Sequence, residues 1–176
     1  MNTVKKYKWT IISVLIILAI YLVNSSKGLM AVTLTVNNFK TMLSVLPPIF
    51  IIIGLLDVWV PRETMIKYMG DKSGILGGIL AVLMGAFGAG PLYVAFPIAA
   101  LLLKKGARLA NVFLFLCIWS SMKLPLLMYE WASLGGRFTT IHITSSLAVY
   151  ILGSLLMERL LSSKARDIIY SNIELV

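Results

Sequence analysis

The 176 residues are 59% hydrophobic and only 13% charged, with a mean hydropathy of +0.92, and sixteen Lys and Arg against seven Asp and Glu give a net charge of +9. Average globular chains carry about 25% charged residues, so the composition excludes a soluble domain and indicates a polytopic membrane protein. At roughly 20 apolar residues per crossing the length allows at most about six or seven helices, which excludes most cofactor-bearing enzymes; the basic residues fall in small groups between apolar runs, a pattern of topology signals and not of a nucleic-acid surface.

The first apolar run, Trp9 to Ser25, follows Lys5, Lys6 and Lys8 and is long enough to be a signal peptide or a retained helix. Val23-Asn24-Ser25 is a poor cleavage site, so residues 1–25 read as a retained transmembrane helix, a signal anchor. A polar stretch, Ser26 to Lys40, leads to a second run, Met42 to Val60, interrupted by Pro47-Pro48. Two prolines remove backbone donors and bend a helix, which a membrane tolerates where neighbours re-satisfy the freed carbonyls. This helix is therefore expected inside the bundle. The connector Pro61 to Ser73 carries Arg62, Glu63, Lys67, Asp71 and Lys72 and reads as a surface loop or interfacial turn.

From Gly74 to Leu103 the chain is apolar for thirty residues, yet Gly85, Gly88, Gly90 and Pro91 break the helical pattern in its middle. Two short helices, Ile75 to Ala89 and Pro91 to Leu103, are expected, each roughly 20 Å long against a roughly 30 Å core. They form a helical hairpin that enters and returns, or two half-length spans. After Lys104, Lys105 and Arg108 come a fifth segment, Leu109 to Met128, a sixth, Thr139 to Met157, and a polar tail, Glu158 to Val176. The expected fold is all-α: a polytopic transmembrane bundle of five to six segments with a broken-helix or re-entrant hairpin at Gly85 to Pro91. Residues 40–157 form its main helical unit and residues 158–176 a cytoplasmic tail.

Charge placement discriminates between topologies. With a cytoplasmic N-terminus and a chain reversal at Gly85 to Pro91, twelve basic residues lie inside (Lys5, Lys6, Lys8, Arg62, Lys67, Lys72, Lys104, Lys105, Arg108, Arg159, Lys164, Arg166) and three outside (Lys27, Lys40, Arg137), with Lys123 in the membrane. A single crossing over Gly74 to Leu103 reduces this to seven against eight, and the positive-inside rule selects the hairpin. Both termini are then cytoplasmic, and Trp9, Trp59 and Trp131 fall at segment ends.

Gly85-Ala86-Phe87-Gly88-Ala89-Gly90-Pro91 is the most informative stretch. A chain break at membrane depth is allowed where it is buried in protein or lines a cavity, and in transporters such breaks present half-helix N-termini near the midplane. Pro91 suits the start of the second half-helix. A packing reading stands beside this one: Gly77, Ala81, Gly85 and Ala89 recur every four residues and allow close approach of another helix. Lys123, in an otherwise apolar run with Trp119 and Ser120 one turn before it, is a functional candidate because burying a charge is expensive, or else snorkels to the headgroups. Glu130, seven residues on, would share its face and could pair with it. Asp57 is expected to pair with Arg62 or Lys67. His142 reads as a solvated ring and Cys117 as a packing residue, and no metal or catalytic constellation follows from spacing.

Gly90-Pro91-Leu92-Tyr93, Phe96-Pro97-Ile98-Ala99-Ala100 and Lys105-Gly106-Ala107, with Phe115-Leu116, Trp119, Lys123-Leu124-Pro125, Glu130 and Leu134-Gly135, resemble the predicted permease family that includes the organoarsenical efflux permeases. The resemblance covers about Val45 to Phe138. It implies an inner-membrane permease, not an enzyme, without a cofactor, whose glycine-and-proline hairpin lies close to the transport path. Longer members carry such a unit twice, so a homodimer of parallel protomers is expected here. Several relatives have cysteines where this chain has Tyr93, Val94 and Ala95, so no soft-metal site carries over. The expected substrate path comprises Gly88, Gly90, Pro91, Tyr93, Pro97, Trp119, Lys123 and Glu130, facing a small, anionic or oxygen-rich solute. A non-transporting assembly component using the Gly77, Ala81, Gly85 stripe is the alternative.

Overall fold

The computed structural model describes residues 7–88 and 90–174; Ala89, Lys5 and Lys6 lie outside the described residues. Among the described residues there are nine helices and no strand: α1 Lys8–Val23, α2 Ser25–Trp59, α3 Arg62–Met69, α4 Gly74–Ala86, α5 Leu92–Lys104, α6 Leu109–Ser121, α7 Leu124–Leu134, α8 Gly136–Leu160 and α9 Ser163–Glu174. The chain divides into two compact units, residues 1–48 and 49–176. α2 and α8 are each long and apolar enough to cross a membrane. The bent pairs α3 with α4 (107°) and α6 with α7 (42°) pass the same test together, and α1 and α5 are shorter apolar helices.

In the first unit, Asn24 adopts an extended conformation that ends α1. Its side-chain Oδ1 accepts a hydrogen bond from the Lys27 amide (3.1 Å), the interaction of a helix N-cap. The polar stretch Ser26 to Lys40 is helical throughout. Leu29, Val32, Val36 and Phe39 alternate there with Thr and Asn, and no proline interrupts the chain before Pro47.

The second unit is built around α6, which packs against α4, α5 and α8. α6 buries Leu109, Ala110, Asn111, Val112, Leu114, Phe115, Ile118 and Trp119, the largest buried set of any helix. α4 lies beside it in parallel. A side chain at Gly77 would meet Asn111, one at Gly85 would meet Ile118 Cβ and the Phe115 carbonyl at 2.8 Å, and one at Gly88 would meet the Trp119 ring. The four-residue spacing of Gly77, Ala81 and Gly85, all buried, is thus used within the chain. Without a hydrophobic driving force between helices in lipid, such close van der Waals packing and interhelical hydrogen bonds carry the association.

Since α4 and α6 run in the same direction and α5 connects them, the chain must reverse between Ala86 and Leu92. The loop after α5 confirms the return: the Arg108 amide donates to the Met69 carbonyl (2.8 Å), and Asn111 Nδ2 donates to Met69 O (2.9 Å) and Ser73 Oγ (3.2 Å). The broken hairpin is therefore present. Its arms are 13 residues each.

Four expectations are corrected. Pro61 to Ser73 contains the two-turn helix α3, with Met65 and Met69 buried. The tail contains α9, which packs on α5. α2 is not interior, because Phe50, Ile51, Leu55 and Val58 are exposed apolar residues and Ile49 alone of its described second-unit residues is buried. Finally, Leu109 to Met128 is not one helix. Pro125 has no N–H for the Ser121 carbonyl and its ring crowds that group, so α6 stops at Ser121 and α7 starts at Leu124.

The Gly85 contact is testable. Gly85→Val should lower the thermal stability of the detergent-solubilised protein by an amount equivalent to about 1–3 kcal/mol. Gly54→Ala, with nothing within 4 Å of the added carbon, should be near neutral. Equal melting temperatures for the two variants would contradict the α4–α6 packing.

Candidate functional site

Both helix breaks lie at the same place in the unit. α6 runs 13 residues from Leu109 to Ser121, so the breaks are about 20 Å from the end where Arg108 sits, within the span of a roughly 30 Å hydrocarbon core. Gly90 has φ +96°, a conformation that glycine adopts without penalty, and it turns the chain into Pro91 and α5. Lys123 is extended between α6 and α7. Its Nζ donates to the Gly90 carbonyl at 2.8 Å, tying one break to the other. Trp119 Nε1 donates to the Pro91 carbonyl at 3.3 Å. The Trp119 ring fills the space above Gly88 and meets Phe115 edge-on, with centroids 5.4 Å apart.

Beneath the loop lies an apolar cavity of about 290 Å³, lined in part by Met84, Phe87, Gly88, Phe115 and Trp119. Gly88, Gly90, Pro91, Trp119 and Lys123 are thus brought together. Tyr93 is half-buried in the first turn of α5. Pro97 stands apart: inside α5 it has no N–H for the Tyr93 carbonyl, and it lines a different cavity, of about 280 Å³, with Asp57 and Lys104.

Glu130 is not paired with Lys123. Its Oε2 lies 2.7 Å from His142 Nδ1 of α8, so His142 is not a merely solvated ring. Twelve residues separate the two in sequence, and the sharp α7–α8 turn at Gly135 that brings them together has no charge signature. Nearby, Ser121 Oγ and Tyr150 OH share a hydrogen bond of 2.7 Å between α6 and α8.

At the opposite, basic end the partners also differ from expectation. Asp57 pairs with Lys105 (3.0 Å), not with Arg62 or Lys67. Lys105, 8% exposed, also donates to the carbonyls of Asp57 (2.6 Å) and Val60 (2.8 Å). Pro61 follows α2 and ends it, leaving carbonyls that a cation satisfies. Arg108 meets Glu158 of α8 through Nη2 (2.6 Å) and Nε (2.8 Å), and Arg166 donates to the Glu158 carbonyl. The hydrogen bond to Glu158 raises the Arg108 pKa above its ordinary value; burial opposes this, and the Glu158 and Asp71 charges add to it. Partial burial pushes the Tyr170 phenol of α9 upward, with Asp71 and Glu158 adding to it. These links gather the segments holding Arg62 to Lys72, Lys104 to Arg108 and Arg159 to Arg166 at one end. Arg137 lies near the other end of α8, roughly 30 Å along the helix.

Among the described residues, no group of three His, Cys, Asp or Glu side chains is placed to hold a metal ion. Apolar helices of spanning length, a chain-reversing hairpin and a second broken helix define an all-helical membrane bundle. The chain belongs to the predicted permease family, whose profile matches residues 28–170, and that membership suggests a membrane transporter. The match extends beyond Val45 to Phe138, reaching α8 and α9. No curated protein and no solved structure matches the chain.

Gly88→Ala should displace the Trp119 ring. Tryptophan emission compared with that of a Trp119→Phe variant should show the Trp119 component shifted to longer wavelength, with stability lowered by about 1–3 kcal/mol. An unshifted component would place Trp119 elsewhere.

Proposed function

We propose that the chain is a small multi-pass permease of the cytoplasmic membrane that moves a small solute by exposing the paired helix breaks alternately to each side. The observation that carries this reading is the Lys123 Nζ contact with the Gly90 carbonyl. A cation on one break satisfies the backbone of the other, where each begins a half-helix, α5 and α7. Half-helix N-termini present N–H groups and partial positive charge, so with Lys123 they favour an anionic or oxygen-rich group. A solute that competes for Lys123 would release the Gly90 carbonyl and uncouple the two breaks. Trp119 and Tyr93 are the walls of this path, and Gly88 the point where it narrows.

The twelve-to-three distribution of basic residues supports cytoplasmic termini, and it disfavours opposite-facing copies. A homodimer of parallel protomers supplies the second unit that longer relatives carry in one chain. The non-transporting reading depended on a free glycine stripe. That stripe is occupied by α6.

The test is growth of a deletion strain carrying the wild-type chain or Lys123→Met on a panel of oxyanions, metals and organometalloids. The wild type should change tolerance to at least one compound, and Lys123→Met should remove at least about 90% of that effect at equal membrane abundance. Undiminished tolerance in Lys123→Met would take the residue out of the path.

A further inference from the structure

We propose that Glu130 and His142 form the binding site for a coupling proton, and that the proton's arrival or departure is read out by movement of α7. The inference rests on the transporter reading of the helix breaks, but its test uses no transported solute.

α7 is poorly held by packing. It has no buried residue, and its main contact is α8. Both its ends are non-helical joints: the extended Lys123 before it and Gly135, φ +85°, after it. Between these joints, the contact of Glu130 Oε2 with His142 Nδ1 at 2.7 Å fastens α7 to the bundle, with the two side chains only 14% and 23% exposed. Burying such groups is costly unless they are paired, so the contact has a purpose beyond solvation.

The electrostatic surroundings are sparse. α6 carries no Asp, Glu, His, Lys or Arg, only the Cys117 thiol, and α7 carries Glu130 and the Tyr129 phenol. On α8, Arg137 precedes His142 by five residues, while Tyr150, two turns beyond, is engaged with Ser121. Lys123, at the hinge, is held by the Gly90 carbonyl. Glu130 is thus the charge in contact with the ring, and the proton occupancy of the pair governs the fastening.

Imidazole is the side chain that ordinarily changes charge between pH 5 and 8. With one proton bound, imidazolium faces carboxylate and the Nδ1–H···Oε2 hydrogen bond is charge-assisted, roughly twice as strong as a neutral one. Release of that proton from the imidazolium to water leaves a net negative charge on the pair and weakens the fastening. α7 then swings about Lys123 and Gly135, carrying with it the break that Lys123 ties to Gly90. Proton release and opening of the path become one event.

His142 is the only histidine and Cys117 the only cysteine, so both probes are clean. In the full chain, purified without a histidine tag, the imidazole ¹⁵N signals should depend on pH, and Glu130→Gln should change that dependence. In a Cys117→Ser background, Met122→Cys replaces a residue that is 4% exposed at the hinge. Its maleimide labelling, normalised to a free thiol at each pH, should be at least about fivefold faster at pH 8.5 than at pH 6. Glu130→Gln and, separately, His142→Gln should abolish that ratio. An unchanged pH dependence in Glu130→Gln would overturn the site, and a pH-dependent labelling ratio that survives both substitutions would overturn the coupling. Failure of the solute panel with success here would instead remove the transport reading while leaving the proton site in place.

Discussion

A carbonyl released by a helix break inside an apolar region must find a donor or the break is not tolerated. In this chain the donors come from the neighbouring break. Lys123 reaches Gly90 and Trp119 reaches Pro91, so the break between α4 and α5 depends on donors from the end of α6 and the start of α7. A single charge-assisted contact satisfies both the ammonium and the freed carbonyl. Any rearrangement that parts the two breaks exposes both groups at once.

The two ends of the second unit are built differently. At the basic end, Lys105 closes α2, Arg108 joins α6 to the end of α8 and Arg166 adds the tail, a network with several charge-assisted bonds. At the other end, α7 contributes no buried residue, and the pair of Glu130 and His142 links it to α8. Local opening favours regions with few buried contacts, so motion belongs at the end with the breaks and not at the basic end. The unit is thus bonded more densely at its basic end than at the end with the breaks.

The elements with long-range order were readable from the residues. The reversal at Gly85 to Pro91 followed from glycine and proline content and from the positions of Lys104, Lys105 and Arg108, because backbone freedom and membrane electrostatics are local properties. The stripe of Gly77, Ala81 and Gly85 showed that a helix would lie close, but not which one. What escaped was partnership across turns. Asp57 chose Lys105, 48 residues away, over Arg62 and Lys67, because the helix end at Val60 offered Lys105 two carbonyls as well. Glu130 chose His142 over Lys123 because α6 ends before Lys123, so that the assumed common face does not exist. The signal was present in Pro125, whose missing donor dictates a break four residues earlier.

The glycine stripe and the candidate site are therefore one feature and not competing explanations. Gly77 against Asn111 and Gly85 against Phe115 and Ile118 set the register of α4 on α6, and that register alone puts Gly88 under Trp119 and Gly90 within reach of Lys123. Sliding α4 by one helical turn would move the loop about 5.4 Å, too far for the 2.8 Å contact to survive without remodelling. Small residues are needed at positions where they touch no solute because they fix where the breaks meet. A larger residue at Gly85 would act on the site through register, even though it lies a turn below the loop. Packing residues and the residues of the paired breaks cannot vary independently in this chain.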